Sequence, residues 1–289
     1  MCPPTCAPAR GKPVDMSERS GWQLRSTGPE FYERYIVPAW MGDWAEALVQ
    51  AGSVGPGNRV LDVGCGTGIV ARKAASIAGP LGNVTGLDIN EGMIRMARYF
   101  AESEGLDTIE WRQGDAVCIP LNTAEYDVVL CQQGLQFFPD KIKALQGMYR
   151  VMVPGGRLAL SVWRSLDRCP FLAVMADVIG RFLGVQSTTI FYASCSLSDR
   201  EELRTLLTSA GFQDIHVRLD VRVARFPSLE EFLPGYISIF PFADEIAAMA
   251  VKDQQKMFND ITRSLLNFTD DHGLAAPMEC HIVTARLPI

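Results

Sequence analysis

The sequence predicts an α/β fold built on a mostly parallel sheet with helices on both faces. Two observations predict it. Between residues 59 and 163, β-branched runs alternate with amphipathic segments, the mark of a parallel sheet. A glycine-rich turn, Gly64 to Gly68, stands where the first run gives way to the first helix. In order, RVLDVG (59–64) reads as a strand stopped by glycine, and IVARKAASIAG (69–79) as an amphipathic helix. NVTGLDI (83–89) is a second strand, followed by a helix over EGMIRMARYFAESEG, and TIEWRQGDA (108–116) is a short third strand with its exit loop. YDVVLCQQ (126–133) is apolar enough for the middle of a covered sheet. KIKALQGMYRVMVPGG reads as a helix ended by Pro154 and two glycines, and RLALSVW (157–163) as the fifth strand.

Outside this stretch the rhythm changes. Residues 21–52 read as helical segments broken at Pro29 and Pro38, and 170–184 as a helix. SDREELRTLLTSAG (198–211) is a further helix, with Ser198 expected as its N-cap and Glu201 at the capping-box position. FQDIHVRLDVRVARF and MECHIVTARL (278–287) are strand candidates, separated by a mainly helical insertion. The organisation expected is a tail over 1–20, disordered by composition, then one domain over 21–289 with cap elements at 21–52, 165–192 and 227–273.

Composition narrows the function. With 27 Lys and Arg against 33 Asp and Glu, the net charge of −6 argues against nucleic acid and against an anionic membrane as partner. No apolar run approaches the roughly 20 residues of a membrane helix, and the first residues lack the apolar stretch of a secretory signal. The eight cysteines sit mostly singly in apolar segments, as buried thiols of a reducing, cytoplasmic compartment do. Cys2 and Cys6 form the one close pair, with no His or second pair near them, so no metal site is expected.

The chemistry concentrates in V-L-D-V-G-C-G-T-G, Val60 to Gly68. Glycines at 64, 66 and 68 permit positive φ and close approach of a ligand, beside the positive end of the following helix. The G-x-G-x-G spacing and the in-strand Asp62 depart from the dinucleotide pattern G-x-G-x-x-G. Asp88, at the carboxyl end of the second strand, is placed to accept both hydroxyls of a ribose. Gly114-Asp115-Ala116 can read an adenine edge, the carboxylate taking the amine and a backbone N–H the ring nitrogen.

Taken in order, VLDVGCGTG, VTGLDINEGMI, QGDA, DVVLCQQGLQFFPD and YRVMVPGGRLALSVW resemble the motif series of class I S-adenosylmethionine-dependent methyltransferases. The branch they resemble contains the ubiquinone and menaquinone C-methyltransferases and many small-molecule methyltransferases. The resemblance implies a Rossmann-like, seven-stranded, mostly parallel sheet with helical cap insertions, and S-adenosyl-L-methionine as cofactor. It implies that Gly64, Cys65 and Gly66 wrap the methionine portion, and that Asp62 holds the loop or the ammonium group. It gives Asp88 the ribose, Ile89 and Met93 the faces of the adenine, and Asp115 and Ala116 its edge. Gln132 and Gln133 would lie by the methionine moiety and the acceptor entrance. An N-terminal aromatic over the cofactor nominates Tyr35, with Tyr32 as the alternative.

The acceptor contacts expected are Gln136, Trp163, Tyr236 and Phe240. The aromatics of 165–192 and 227–273 can roof an apolar acceptor pocket, form a core for the extra helices, or make the face of a homodimer, and a mixture of these roles is expected. CQQGLQFFPD differs from the Asn/Asp-Pro-Pro-aromatic motif of nucleic-acid and protein-amide amino-methyltransferases, which points to O-, N- or C-methylation of a small molecule. His216, His272 and His281 belong to no recognised motif, and no catalytic residue is assigned. Two rivals remain: an NAD-dependent oxidoreductase, and a protein of the same fold that binds the cofactor without methylating.

Overall fold

The computed structural model describes residues 28–289. The expected tail over 1–20, the first part of the 21–52 cap element and the Cys2/Cys6 pair lie outside the described residues. The described chain opens with α1 (Gly28–Phe31), a π-helical stretch over Tyr32–Met41, and α2 (Gly42–Ala51). Neither proline breaks it, contrary to the sequence reading. Pro29 sits in the first turn, where a missing N–H leaves no bond unmade. Pro38 lies inside the π-helix, whose extra residue per turn absorbs the ring, and Gly42 N–H reaches back to Val37 O.

Then come β1 (Arg59–Val63), α3 (Ile69–Ala78), β2 (Asn83–Asp88), α4 (Glu91–Ser103), β3 (Glu110–Gln113), β4 (Tyr126–Gln132), α5 (Lys141–Val151) and β5 (Met152–Trp163). β5 starts at Met152 rather than Arg157, because the Pro-Gly-Gly run bends the strand without ending it and the register with β4 shifts there. The later elements are α6 (Pro170–Leu183), α7 (Thr189–Ser194), α8 (Arg200–Ser209), β6 (Gln213–Phe226), α9 (Leu229–Ser238), α10 (Ala243–Ala248), α11 (Val251–Leu265), β7 (Thr269–Asp270) and β8 (Gly273–Arg286). The N-cap of α8 is Asp199, whose Oδ1 accepts from Glu201 N–H at 2.7 Å, and not Ser198. Ser198 instead offers its carbonyl to His281 Nε2 at 3.0 Å.

Among the described residues the sheet has eight strands, seven in the order β3-β2-β1-β4-β5-β8-β6, with β7 added as a short hairpin on the start of β8. β1 to β5 pair in parallel, whereas β8 runs antiparallel between β5 and β6. Strand order reverses at β1, which lies between β2 and β4, so a crevice opens beyond the carboxyl ends of these strands. Both faces are covered. Val60, Val128 and Leu130 share one buried cluster with residues of α2, α3 and α6, and Leu61, Val63, Val129 and Cys131 share a second with residues of α5 and α8. This two-sided burial explains why the strand sequences read as continuous apolar runs.

Candidate functional site

A cavity of about 520 Å³ occupies that crevice. Its floor is the β1–α3 loop. Gly66 holds φ +55°, and a Cβ built on it meets nothing within 4 Å, so its face is open toward the cavity. Gly68 needs glycine for the opposite reason: at φ +87°, a Cβ would lie 2.4 Å from Trp111.

Asp88 forms the next wall. Its Oδ2 accepts from Gly66 N–H at 2.9 Å and its Oδ1 from Asn90 N–H at 2.8 Å, which fixes the carboxylate between loop and helix. Burial raises its pKa, and the backbone N–H groups of Asn90, Gly66 and Ile89 pull it back. Ile89, Met93, Asp115 and Ala116 continue the wall. Asp115 caps the turn after it, its Oδ1 accepting from Val117 N–H at 2.9 Å.

Gln132 and Gln133 line the cavity beyond β4. Gln132 Nε2 donates to Met41 O at 2.9 Å and ties the strand end to the N-terminal helix. Gln133 is held at φ +53°, a strained conformation for a side chain of its size. Gln136 does not line the cavity; its Nε2 donates to Gln133 Oε1 at 3.1 Å and positions that residue from behind.

Three other expected site residues also stand back. Asp62 lies beneath the loop, its Oδ2 accepting from Ala71 N–H at 3.1 Å, while its buried Oδ1 has no hydrogen-bond partner among the described residues. Burial, offset by the Ala71 bond and reinforced by the charge of Asp88, raises its pKa from 3.8 to about 8. Cys65 contributes backbone to the loop, but its Sγ turns down toward Gly86, and burial raises the thiol well above its ordinary value. Tyr35 is 52% exposed and stacks on Phe31 at 4.6 Å, away from the cavity. Tyr32, Ile36 and Trp40, at four-residue steps along the π-helix, present the face that lines it.

The remaining wall is apolar. Trp163, Tyr236 and Phe240 all reach the cavity, joined by Leu172, Ile239 and Met278, which sequence reasoning missed. Tyr236 also packs on Phe171 at 5.2 Å and on Phe240 at 5.1 Å, so this wall is lining and core at once. Burial, with Tyr32 and Cys195 as lesser causes, raises the Tyr236 phenol, and burial beside Glu33 and Asp88 raises that of Tyr32. Glu33, which no sequence signal marks, is buried against Arg72 at 2.5 Å. Arg72 Nη1 donates to Thr67 O at 2.7 Å, so the pair pins the N-terminal helix to the glycine loop. None of the three histidines lines the cavity, and no cluster able to hold a metal occurs among the described residues.

The geometry agrees with the relatives of the chain. Residues 60–156 match the family described as a methyltransferase domain. The chain is 33% identical, over 184 residues, to the ubiquinone/menaquinone biosynthesis C-methyltransferase UbiE of Ectopseudomonas mendocina, covering 60% of this chain and 72% of that protein. The chain belongs to the UbiE-like methyltransferases. It is therefore a class I S-adenosylmethionine-dependent methyltransferase that methylates a small molecule. The demethylmenaquinone methyltransferase of Staphylococcus carnosus is 28% identical over 186 residues, covering 61% of this chain and 76% of that one. The fold is shared with the phosphoethanolamine N-methyltransferase 2 of Haemonchus contortus, solved with S-adenosyl-L-methionine (TM-score 0.59, 18% identity, 92% of this chain and 58% of that one). In this UbiE-like enzyme the cavity floor fits the cofactor on its own terms, because the face of Gly66 is open and a fixed carboxylate stands beside it. No described helix is long and apolar enough to cross a membrane.

Proposed function

We propose that the acceptor is an uncharged, largely apolar molecule, seated between the N-terminal helix and the 227–273 insertion. The observation that carries this reading is the lining: its charged residues are Asp88 and Asp115, on the donor side, and it includes no Lys, Arg or His among the described residues. An anionic acceptor would find no counter-charge there. Relatives named for ubiquinone and menaquinone biosynthesis support an electron-rich ring as the acceptor type.

The roles follow from placement. S-adenosylmethionine supplies, when bound, a methyl group on a sulfonium, an electrophile that needs no further activation. Gly64 and Gly66 would cradle its methionine portion, Asp88 would accept from the ribose hydroxyls, and Ile89, Met93, Asp115 and Ala116 would frame the adenine. Asp62 and Cys65 act on the loop itself, Gln136 through Gln133, and Tyr32 takes the part expected of Tyr35. The cap elements exclude water from the reacting centre and align the acceptor. Tyr32 and Tyr236, with pKa values raised by burial, stay protonated and serve as hydrogen-bond donors to an acceptor oxygen rather than as bases. Neither tyrosine then serves the acceptor as a base. Residues 21–289 act in this reading as one domain, in the cytoplasm, where the buried Cys65, Cys131, Cys169, Cys195 and Cys280 stay reduced. A second copy of the chain is its partner.

Release of S-adenosylhomocysteine, measured with phenolic or quinol acceptors and with their carboxylated analogues, tests the reading. Turnover should be confined to the uncharged set, and preference for the carboxylated set would overturn it.

A further inference from the structure

Resting on the second copy proposed above as partner, we infer that β6 is the seam of a homodimer, two copies pairing antiparallel about a two-fold axis at Val221. β6 is the edge strand of the sheet, bonded to β8 on one side and, among the described residues, to no strand on the other. It is long for an edge, and its irregularity lies at one end, between Gln213 and His216. From Val217 to Phe226 no proline interrupts it, and its charged residues Arg218, Asp220, Arg222 and Arg225 are held in ion pairs within the chain.

One face of this stretch is apolar and uncovered. Val217 is buried with the residues under α8, but Leu219, Val221 and Val223 run on beyond it, 50%, 53% and 43% exposed. Three apolar side chains in a row on an edge strand form a continuous stripe, not scattered surface residues.

The charges on the opposite face select the partner and the register. Asp220 bridges its neighbours, meeting Arg218 Nη1 and Arg222 Nε at 2.9 Å each. With the two-fold axis at Val221, Leu219 faces the partner's Val223, Val221 faces the partner's Val221, and Asp220 faces the partner's Arg222. All three exposed apolar residues are then paired with one another, and each Arg222 lies between two carboxylates. Moving the axis to Asp220 or to Arg222 would set like charges directly opposite. The sequence of β6 is thus complementary to its own reversal, which is what an isologous interface requires.

The full chain should sediment at twice its monomer mass at micromolar concentration. Val221→Lys puts two ammonium groups face to face at the axis on an exposed position, and should weaken association at least tenfold while leaving S-adenosylhomocysteine affinity, and the melting temperature of the protein diluted to its monomer, unchanged. Val221→Cys should give, under mild oxidation, a covalent dimer linked 221 to 221 that the unmodified chain does not form. A monomer at these concentrations, a dimer indifferent to Val221→Lys, or a dimer in which Cys at 221 fails to link to itself would each overturn the inference.

Discussion

Gly66 and Gly68 stand two residues apart in one loop, yet the structure assigns them opposite failures. At Gly66 a methyl group has no protein neighbour within 4 Å, so Gly66→Ala meets only the penalty of a left-handed φ of +55°. That penalty is about 1–2 kcal/mol, a loss of a few degrees in melting temperature for a chain of this size. The new methyl group projects into the space the donor needs, and affinity for S-adenosylhomocysteine should fall at least tenfold. At Gly68 the added Cβ lies 2.4 Å from Trp111 and 3.1 Å from Ala97 Cβ, at φ +87°. Overpacking of that kind adds about 1–3 kcal/mol to the conformational penalty. Gly68→Ala should therefore lose stability first, and ligand affinity only as the fold loosens. Thermal denaturation and calorimetric titration on both variants measure the two effects separately. If Gly66→Ala binds S-adenosylhomocysteine within twofold of the parent, the donor does not lie on this loop and the reasoning fails.

Four further outcomes follow from the same geometry. Asp88→Ala should lower S-adenosylhomocysteine affinity at least tenfold by calorimetry, and an unchanged affinity would place the ribose elsewhere. Glu33→Ala leaves Arg72 buried without its closest partner and should cost about 3 kcal/mol in urea denaturation, the lower end for a broken buried pair because Glu104 remains 3.1 Å from Arg72 Nε; a loss under about 1 kcal/mol contradicts the anchoring role. For Asp62, the folded protein keeps a proton that the unfolded chain releases between 3.8 and about 8, so its contribution to stability falls as pH rises through that window. Asp62→Asn fixes the neutral form, and should gain in melting temperature on the parent from pH 5 to pH 9; parallel pH profiles would refute the raised pKa. Tyr236→Phe should keep S-adenosylhomocysteine affinity while acceptor turnover drops about tenfold, the worth of one hydrogen bond; unchanged turnover removes the phenol from acceptor recognition.

The parts of the site legible in sequence were those set by local backbone. The β1–α3 loop, Asp88 at the end of β2 and Asp115 at the end of β3 all stand at strand termini, where topology alone brings them to one crevice. The choice between Tyr32 and Tyr35 was not legible, because the π-helix changes which residues share a face and no sequence signal marks that change. Gln136 follows Gln133 closely in sequence, but the turn after β4 carries it behind the wall. The Glu33–Arg72 pair joins elements far apart in the chain, and single-sequence reasoning has no access to such a contact. The aromatics of the insertion are lid and core at once, the mixture that the sequence suggests: Tyr236 and Phe240 are buried among other rings and line the cavity with their remaining surface.

The reaction proposed for this chain is methyl transfer to an uncharged, apolar small molecule. The most direct test supplies the enzyme with S-adenosylmethionine labelled in its methyl group and a mixture of small metabolites, then partitions the products between water and an organic solvent. Label should appear in the organic phase, matched by an equal release of S-adenosylhomocysteine. Label carried by an anionic product in the water phase, or no release of S-adenosylhomocysteine with any uncharged acceptor, would contradict it.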